Sequence, residues 1–232
     1  MSEIESKITR IEPLTPHVWK VRLKPAQPFD FKAGQYIRVI MGETDKRPFS
    51  IANAPDDSGE IELHIGASEH NPWAMQVIER VRHEPSLLVD GPHGKAYLRE
   101  GIPKPTILMA GGTGFSYVLS LLQKKLRTPL LEPLFLYWGT RTLEDMYAHD
   151  DLAALAEQYP RFRFIPVVEK PGAGWQGRTG LVHQAVLEDF ISLEPYQVYV
   201  AGRFEMAGVA REAFHEQGLM LENLFGDAYS FI

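Results

Sequence analysis

Residues 106–117, Thr-Ile-Leu-Met-Ala-Gly-Gly-Thr-Gly-Phe-Ser-Tyr, constrain this chain more than any other stretch. Thr106–Ala110 opens with two β-branched residues and reads as a short buried strand. Three glycines in four positions follow, then a pattern that reads as helix from Ser116 to Arg127. A strand, a glycine turn and a helix form the half of a βαβ unit that holds phosphate. Glycines let the backbone turn sharply and let an anion come close, while amide N–H groups and the positive end of the helix dipole face the charge. Gly112 and Gly114 supply a G-x-G, but Tyr117 stands at the third glycine position of the usual dinucleotide fingerprint. Taken alone, the loop also fits a tight turn with no ligand.

At 232 residues the chain has room for one large domain or two small ones. No window approaches the run of about 20 apolar residues that spans a membrane. The acidic start, Met1-Ser2-Glu3-Ile4-Glu5, lacks the apolar core of a signal peptide, so a cytoplasmic protein without membrane attachment is expected. Net charge is −6, and Lys124, Lys125 and Arg127 form only a local cluster on a helix face. Nucleic acid is therefore not the expected partner. There is no cysteine. That excludes disulfides, thiolate nucleophiles and cysteine-ligated clusters, so any electron transfer must use an organic cofactor. No metal site is expected.

Two kinds of pattern divide the chain. Residues 4–12, 17–23, 35–41, 47–52 and 60–65 read as short strands separated by proline and glycine turns, which suggests an antiparallel barrel or sandwich. One helix interrupts them, with Asn71 as N-cap, Pro72 at the first position and Trp73, Val77, Ile78 and Val81 on one face. A strand over 86–89 follows, and Asp90–Gly94 breaks the chain. Beyond Gly101, Pro103 and Pro105 strands alternate with helices: strands at 106–110, 134–138, 162–168 and 197–201, helices at 116–127, 144–158, 181–190 and 205–217. This alternation implies a parallel sheet covered on both faces. The boundary is placed at 101/102. The tail, Phe225-Gly-Asp-Ala-Tyr-Ser-Phe-Ile232, is too aromatic to be left in water and is expected to pack.

Besides the glycine turn, two segments offer chemistry. Tyr199-Val-Ala-Gly-Arg-Phe-Glu-Met206 ends a buried strand at Ala201–Gly202 and starts a helix near Phe204. In a doubly wound sheet ligands bind at the carboxyl ends of strands, so Gly111–Gly114 and Gly202–Phe204 share one edge. Arg47-Pro48-Phe49-Ser50 offers a cation for a phosphate or an electron-rich ring and a small hydroxyl donor, although a proline-led edge strand is the commoner explanation of such a segment.

In order and spacing these pieces resemble the ferredoxin–NADP⁺ reductase superfamily. Its marks are an Arg-x-(Tyr/Phe)-Ser segment, a Gly-Gly-Thr-Gly turn and a (Cys/Ala)-Gly-x segment. They read here as Arg47–Ser50, Gly111–Gly114 and Ala201–Arg203. Longer shared strings (Lys46–Ser50, Glu62–Glu69, Ala110–Tyr117, Ala201–Met206, Phe225–Ala228) resemble the branch of bacterial NAD(P)H:flavin oxidoreductases. The resemblance implies a flavin-binding antiparallel β-barrel over 1–101 and a Rossmann-like α/β parallel-sheet domain for NADH or NADPH over 102–232, with catalysis in the cleft between them. It implies that Arg47, Pro48, Phe49, Ser50, His64 and Ile65 line the flavin, with Ser50 hydrogen-bonding near N5. Gly111, Gly112, Thr113, Gly114 and Phe115 would hold the pyrophosphate, and Gly202, Arg203 and Phe204 the nicotinamide half. The C-terminal aromatics would close the site.

The sequence departs from the superfamily in two places. The glycine-rich Gly-x-x-Ser/Thr segment that cradles a flavin phosphate is replaced by Gly66-Ala-Ser-Glu-His-Asn-Pro72, in which Glu69 would repel phosphate. Ala201 replaces the frequent nicotinamide-side cysteine. Riboflavin, FMN or FAD is therefore expected as an exchangeable substrate, with reduced flavin passing electrons to oxygen, a ferric complex or a monooxygenase. Two other readings are an electron-transfer reductase with tightly bound FAD and a non-catalytic nucleotide-binding subunit.

Overall fold

The computed structural model describes residues 3–68 and 71–232, so Glu69 lies outside the described residues. The chain divides into two compact units, residues 1–98 with 119–124, and residues 99–118 with 125–232.

The first unit is a six-stranded antiparallel sheet with one helix. Its elements are β1 (Ile4–Thr15), β2 (Val18–Pro25), β3 (Tyr36–Ile40), β4 (Lys46–Ser50), β5 (Ile61–Gly66), α1 (Pro72–His83) and β6 (Ser86–His93), with spatial order β4-β3-β6-β1-β2-β5. Among the described residues the edge strands β4 and β5 share no ladder but are tied just past Ser50. Ala52 N donates to Glu62 O at 2.7 Å. Asn53 Nδ2 donates to Glu60 O at 3.0 Å, and Asn53 Oδ1 accepts from Glu62 N at 2.8 Å. One asparagine thus does the work of a missing rung, covering backbone groups that an open edge would leave bare.

Alternation in β5 decides the core. Ile61, Leu63 and Ile65 point inward to pack with Val21, Leu23, Ile37, Val39 and Leu87, while Glu62 and His64 face the other way. Helix α1 starts as expected: Asn71 Oδ1 accepts from Ala74 N at 3.2 Å, with Pro72 behind it. It buries Ala74, Val77, Ile78 and Val81. Trp73, expected on that face, is 42% exposed. It instead stacks on Phe49, ring centroids 6.1 Å apart.

Strand β6 does not stop at Val89. It runs to His93 because Asp90 is a junction for three strands. Arg38 Nε and Nη2 reach its carboxylate at 2.8 and 2.7 Å, Lys46 Nζ at 3.2 Å and His93 Nε2 at 2.8 Å. The Arg38 guanidinium, then His93 and Lys46, hold this carboxyl well below the usual carboxylate range.

The second unit is a parallel sheet. Its elements are β7 (Thr106–Gly111), α2 (Phe115–Leu126, of which residues 119–124 count with the first unit), β8 (Leu134–Thr140), α3 (His149–Gln158), β9 (Phe162–Val168), β10 (Arg178–Thr179), α4 (Val182–Asp189), β11 (Gln197–Ala201), α5 (Phe204–Glu216) and β12 (Leu224–Phe225). The order β10-β9-β8-β7-β11-β12 reverses direction between β7 and β11. Helices cover both faces, as the alternation implies. Val182, Ala185, Ala207 and Phe214 of α4 and α5 pack on Ile107, Met109, Val198 and Val200. On the other face Phe115 of α2 stacks on Trp138, and His149 of α3 meets Phe164.

One expected helix needs correction. The helix expected over 144–158 is broken. Thr142 N donates to Asp145 Oδ2 at 3.2 Å, which closes a short 3₁₀ turn over Leu143–Asp145, and the chain then turns to bury Met146 before α3 begins. The two-residue edge strands β10 and β12 carry too little pattern to be read from sequence. In the tail, Phe225 stacks on Tyr199 at 4.8 Å and Tyr229 Oη donates to Ala207 O at 3.2 Å, so most of it packs, but Phe231 is 71% exposed.

Asp90→Asn is expected to lower stability by about 2–3 kcal/mol at neutral pH, because Arg38 and Lys46 lose their shared anion and His93 loses its carboxylate partner. The folded pKa is depressed, so the contribution is full above the unfolded value near about 3.9 and is lost as pH falls through the folded one. Urea denaturation of both proteins at pH 7 and pH 3 checks this, with the gap narrowing in acid.

Candidate functional site

The carboxyl ends of β7 and β11 lie side by side at the sheet's reversal, Ala110 opposite Ala201. This is the topological switch point where doubly wound sheets bind ligands. Backbone meets backbone there. A Cβ on Gly114 would lie 2.5 Å from Ala201 O, and one on Gly111 would lie 2.7 Å from Met206 Sδ. Gly112 has φ +54°, a conformation that favours glycine, and faces open space. Gly112 and Thr113 are exposed, at the N-terminus of a 3₁₀ turn (Gly112–Gly114) that runs into α2. The first amides of such a helix have no intrahelical acceptor.

Two arginines flank the turn from the neighbouring strands, Arg141 just beyond β8 and Arg203 just beyond β11. Both are exposed, and neither guanidinium has a hydrogen bond or ion pair among the described residues. This places two cationic side chains just beyond the strands that neighbour the glycine amides. A pyrophosphate fits such a cradle. Phe204, next to Arg203, is 54% exposed. Phe115 differs from expectation: its side chain is fully buried against Trp138, ring centroids 3.8 Å apart, so it serves the turn from below. Tyr117, in place of the third glycine, is 1% exposed and fills core space. Nearby in the tail, burial pushes the Asp227 carboxyl up to about 6.

In the first unit, β4 carries the Arg47–Ser50 segment. Arg47 is buried and its guanidinium is occupied. Nε donates to Asp45 Oδ1 at 2.8 Å, Nη2 to Gln76 Oε1 at 2.7 Å and to Asp45 Oδ2, and Nη1 to Trp73 O. It also lies over the Trp73 ring, 5.0 Å from its centroid. Arg47 therefore ties β4 to the first turns of α1, with its charge matched by Asp45. Pro48 is exposed, and Phe49 and Ser50 are half-buried. The Ser50 hydroxyl has no hydrogen-bond partner among the described residues and remains available to a ligand.

His64 and Ile65 of β5 are both buried. Ile65 belongs to the core, so only its backbone can meet a ligand. His64 Nε2 lies 2.9 Å from Glu62 Oε1, and Arg22 Nε donates to Glu62 Oε2 at 2.9 Å. Burial alone would raise the Glu62 carboxyl, but His64 and then Arg22 outweigh it and bring it down to about 2. Asp45, Asn53, Gln76 and Trp138 escape sequence reasoning. Each is an ordinary loop, helix or strand residue until the fold brings its partner to it.

Residues 7–97 match the Oxidoreductase FAD-binding domain family and residues 108–212 the Oxidoreductase NAD-binding domain family. The NAD(P)H-flavin reductase of Vibrio harveyi is 47% identical over 235 residues, covering 99% of both chains. That of Aliivibrio fischeri is 48% identical with the same coverage. Among solved structures, the ferredoxin reductase in carbazole 1,9a-dioxygenase superposes with a TM-score of 0.87 at 23% identity, over 98% of this chain and 69% of that one, which speaks for the fold. With a FAD-binding unit, a NAD-binding unit and near-full-length likeness at this identity, the chain belongs to the NAD(P)H-flavin reductase family of oxidoreductases.

Proposed function

We propose that this enzyme reduces free flavin with NADH or NADPH and that the flavin is an exchangeable substrate, held by its isoalloxazine and ribityl parts. The nicotinamide supplies a hydride from C4 to flavin N5, and solvent supplies the proton that completes reduced flavin. Such a transfer needs ring alignment and exclusion of water rather than a group of unusual pKa. Ser50, with its unpartnered hydroxyl, donates to the flavin near N5, and Phe49 and Pro48 supply apolar surface. Gly111–Gly114 hold the pyrophosphate, and Gly202, Arg203 and Phe204 meet the nicotinamide half. We assign residues 1–101 to the flavin and 102–232 to the nucleotide. No helix among the described residues is long and apolar enough to cross a membrane, and we place the enzyme in the cytoplasm. Oxygen, a ferric complex or a flavin-dependent monooxygenase takes up the electrons.

One observation carries the exchangeable-flavin reading. The buried arginine of the Arg-Pro-Phe-Ser segment, the cation best suited to a flavin phosphate, is matched by Asp45 and further occupied by Trp73 O and Gln76. A phosphate arriving there meets a neutralised pair rather than a free guanidinium. The alternative, a reductase with resident FAD, draws on the structural likeness to the carbazole dioxygenase reductase.

Purified protein should emerge colourless from gel filtration and turn over NADH or NADPH when riboflavin, FMN or FAD is added; a yellow, stoichiometric complex that survives dialysis favours the alternative. Ser50→Ala is expected to cost about 1 kcal/mol, a roughly fivefold loss in kcat/KM for flavin, from one missing donor. Steady-state kinetics with flavin as the varied substrate measure it. Asp45→Asn releases the Arg47 charge and should raise kcat/KM for FMN relative to riboflavin by about fivefold. The ratio of the two, measured at low salt, reads this out.

A further inference from the structure

Beneath the glycine turn lies an indole that the catalytic reading does not use. Trp138 Nε1–H donates to Gly112 O at 2.9 Å. The ring is fully buried and held on two sides. Phe115 stacks on it at 3.8 Å and 10°, and Tyr147 meets it edge-on at 5.0 Å and 76°. All four residues belong to the second unit.

We infer that Trp138 is a positioning residue that sets the orientation of the Gly112–Thr113 peptide for pyrophosphate. That peptide bond is trans. In a trans peptide the C=O and the N–H point in opposite directions. Fixing Gly112 O toward the buried indole therefore aims Thr113 N–H outward, at the exposed edge between Arg141 and Arg203. Gly112 lacks a Cβ and sits at φ +54°, so steric restraint on this peptide is weak and a flip is cheap. Gly112 O also accepts from Phe115 N, but that N–H is shared with Thr113 O and belongs to the helical turn itself. The indole adds a side-chain bond from the sheet to the turn. A preset N–H binds an anion without first giving up conformational freedom.

This inference rests on the reading that Gly111–Gly114 hold the pyrophosphate. Trp138→Phe keeps the ring stack and deletes the donor. Its KM for NADH should rise about fivefold to tenfold, while kcat and the riboflavin KM stay within about twofold. With 1-benzyl-1,4-dihydronicotinamide, a hydride donor that carries no phosphate, the KM of the variant should match that of the parent. An unchanged NADH KM, or equal losses with both donors, overturns the inference. Gly114→Ala tests the underlying reading separately, since its Cβ would drive into Ala201 O. If it leaves the NADH KM unchanged the loop is not the pyrophosphate site; if it raises it and Trp138→Phe does not, only the role of Trp138 falls. Should Trp138→Phe fail to fold, NMR of the wild type decides. The Trp138 indole N–H should exchange slowly with solvent and shift on addition of ADP-ribose, and a signal that exchanges fast or does not shift overturns the inference.

Discussion

The nucleotide end depends on a place where two backbones touch without a side chain between them. Gly114 packs on the carbonyl of Ala201, and Gly111 and Gly202 leave space that Met206 fills. That contact brings the ends of β7 and β11 together at the one position where the order of strands reverses. Helices then leave the two strands toward opposite faces, and a groove with amide donors opens between their starts. A side chain at Gly114 would push the turns apart, and the cradle would lose its shape before any ligand arrived.

The first unit meets a different constraint. An antiparallel sheet with two free edges must cover them, and it does so with the Ala52 and Asn53 bonds to Glu60 and Glu62. These bonds hold β4 and β5 in place just where β4 ends in Ser50. The same economy appears at Arg47, which joins Asp45, Trp73 and Gln76 and so fixes β4 against α1. Its charge is used within the fold. That distinguishes the two residues inside one short motif: Arg47 builds the wall, while the Ser50 hydroxyl has no hydrogen-bond partner among the described residues.

Much of this was legible in the chain as a string of residues. Asn71 and Pro72 mark the start of α1 because capping is local chemistry. Glycine turns, β-branched runs and alternating residues in β5 are likewise local, and they indicate an antiparallel unit followed by a parallel one. Trp73 and Phe115 show where local reading stops. The spacing of Trp73 matched a buried face, yet its ring lies out on Phe49; Phe115 closes the glycine loop in sequence, and its side chain is core. In both cases a partner distant in sequence decides which side the ring takes.

The sequence by itself determined the order of the longer strands and helices, the position of both glycine turns and the absence of thiol chemistry, since each depends on residue type and near neighbours. Only the tertiary structure decided that Asp45 neutralises Arg47, that Asp90 unites three strands, that Asn53 completes a sheet edge and that Trp138 holds the Gly112 carbonyl. Those are pairings of a charge or a hydrogen-bond donor with a partner up to tens of residues away. No periodicity announces them, because they exist only once hydrophobic burial has brought the strands together and put these polar groups within reach of their partners.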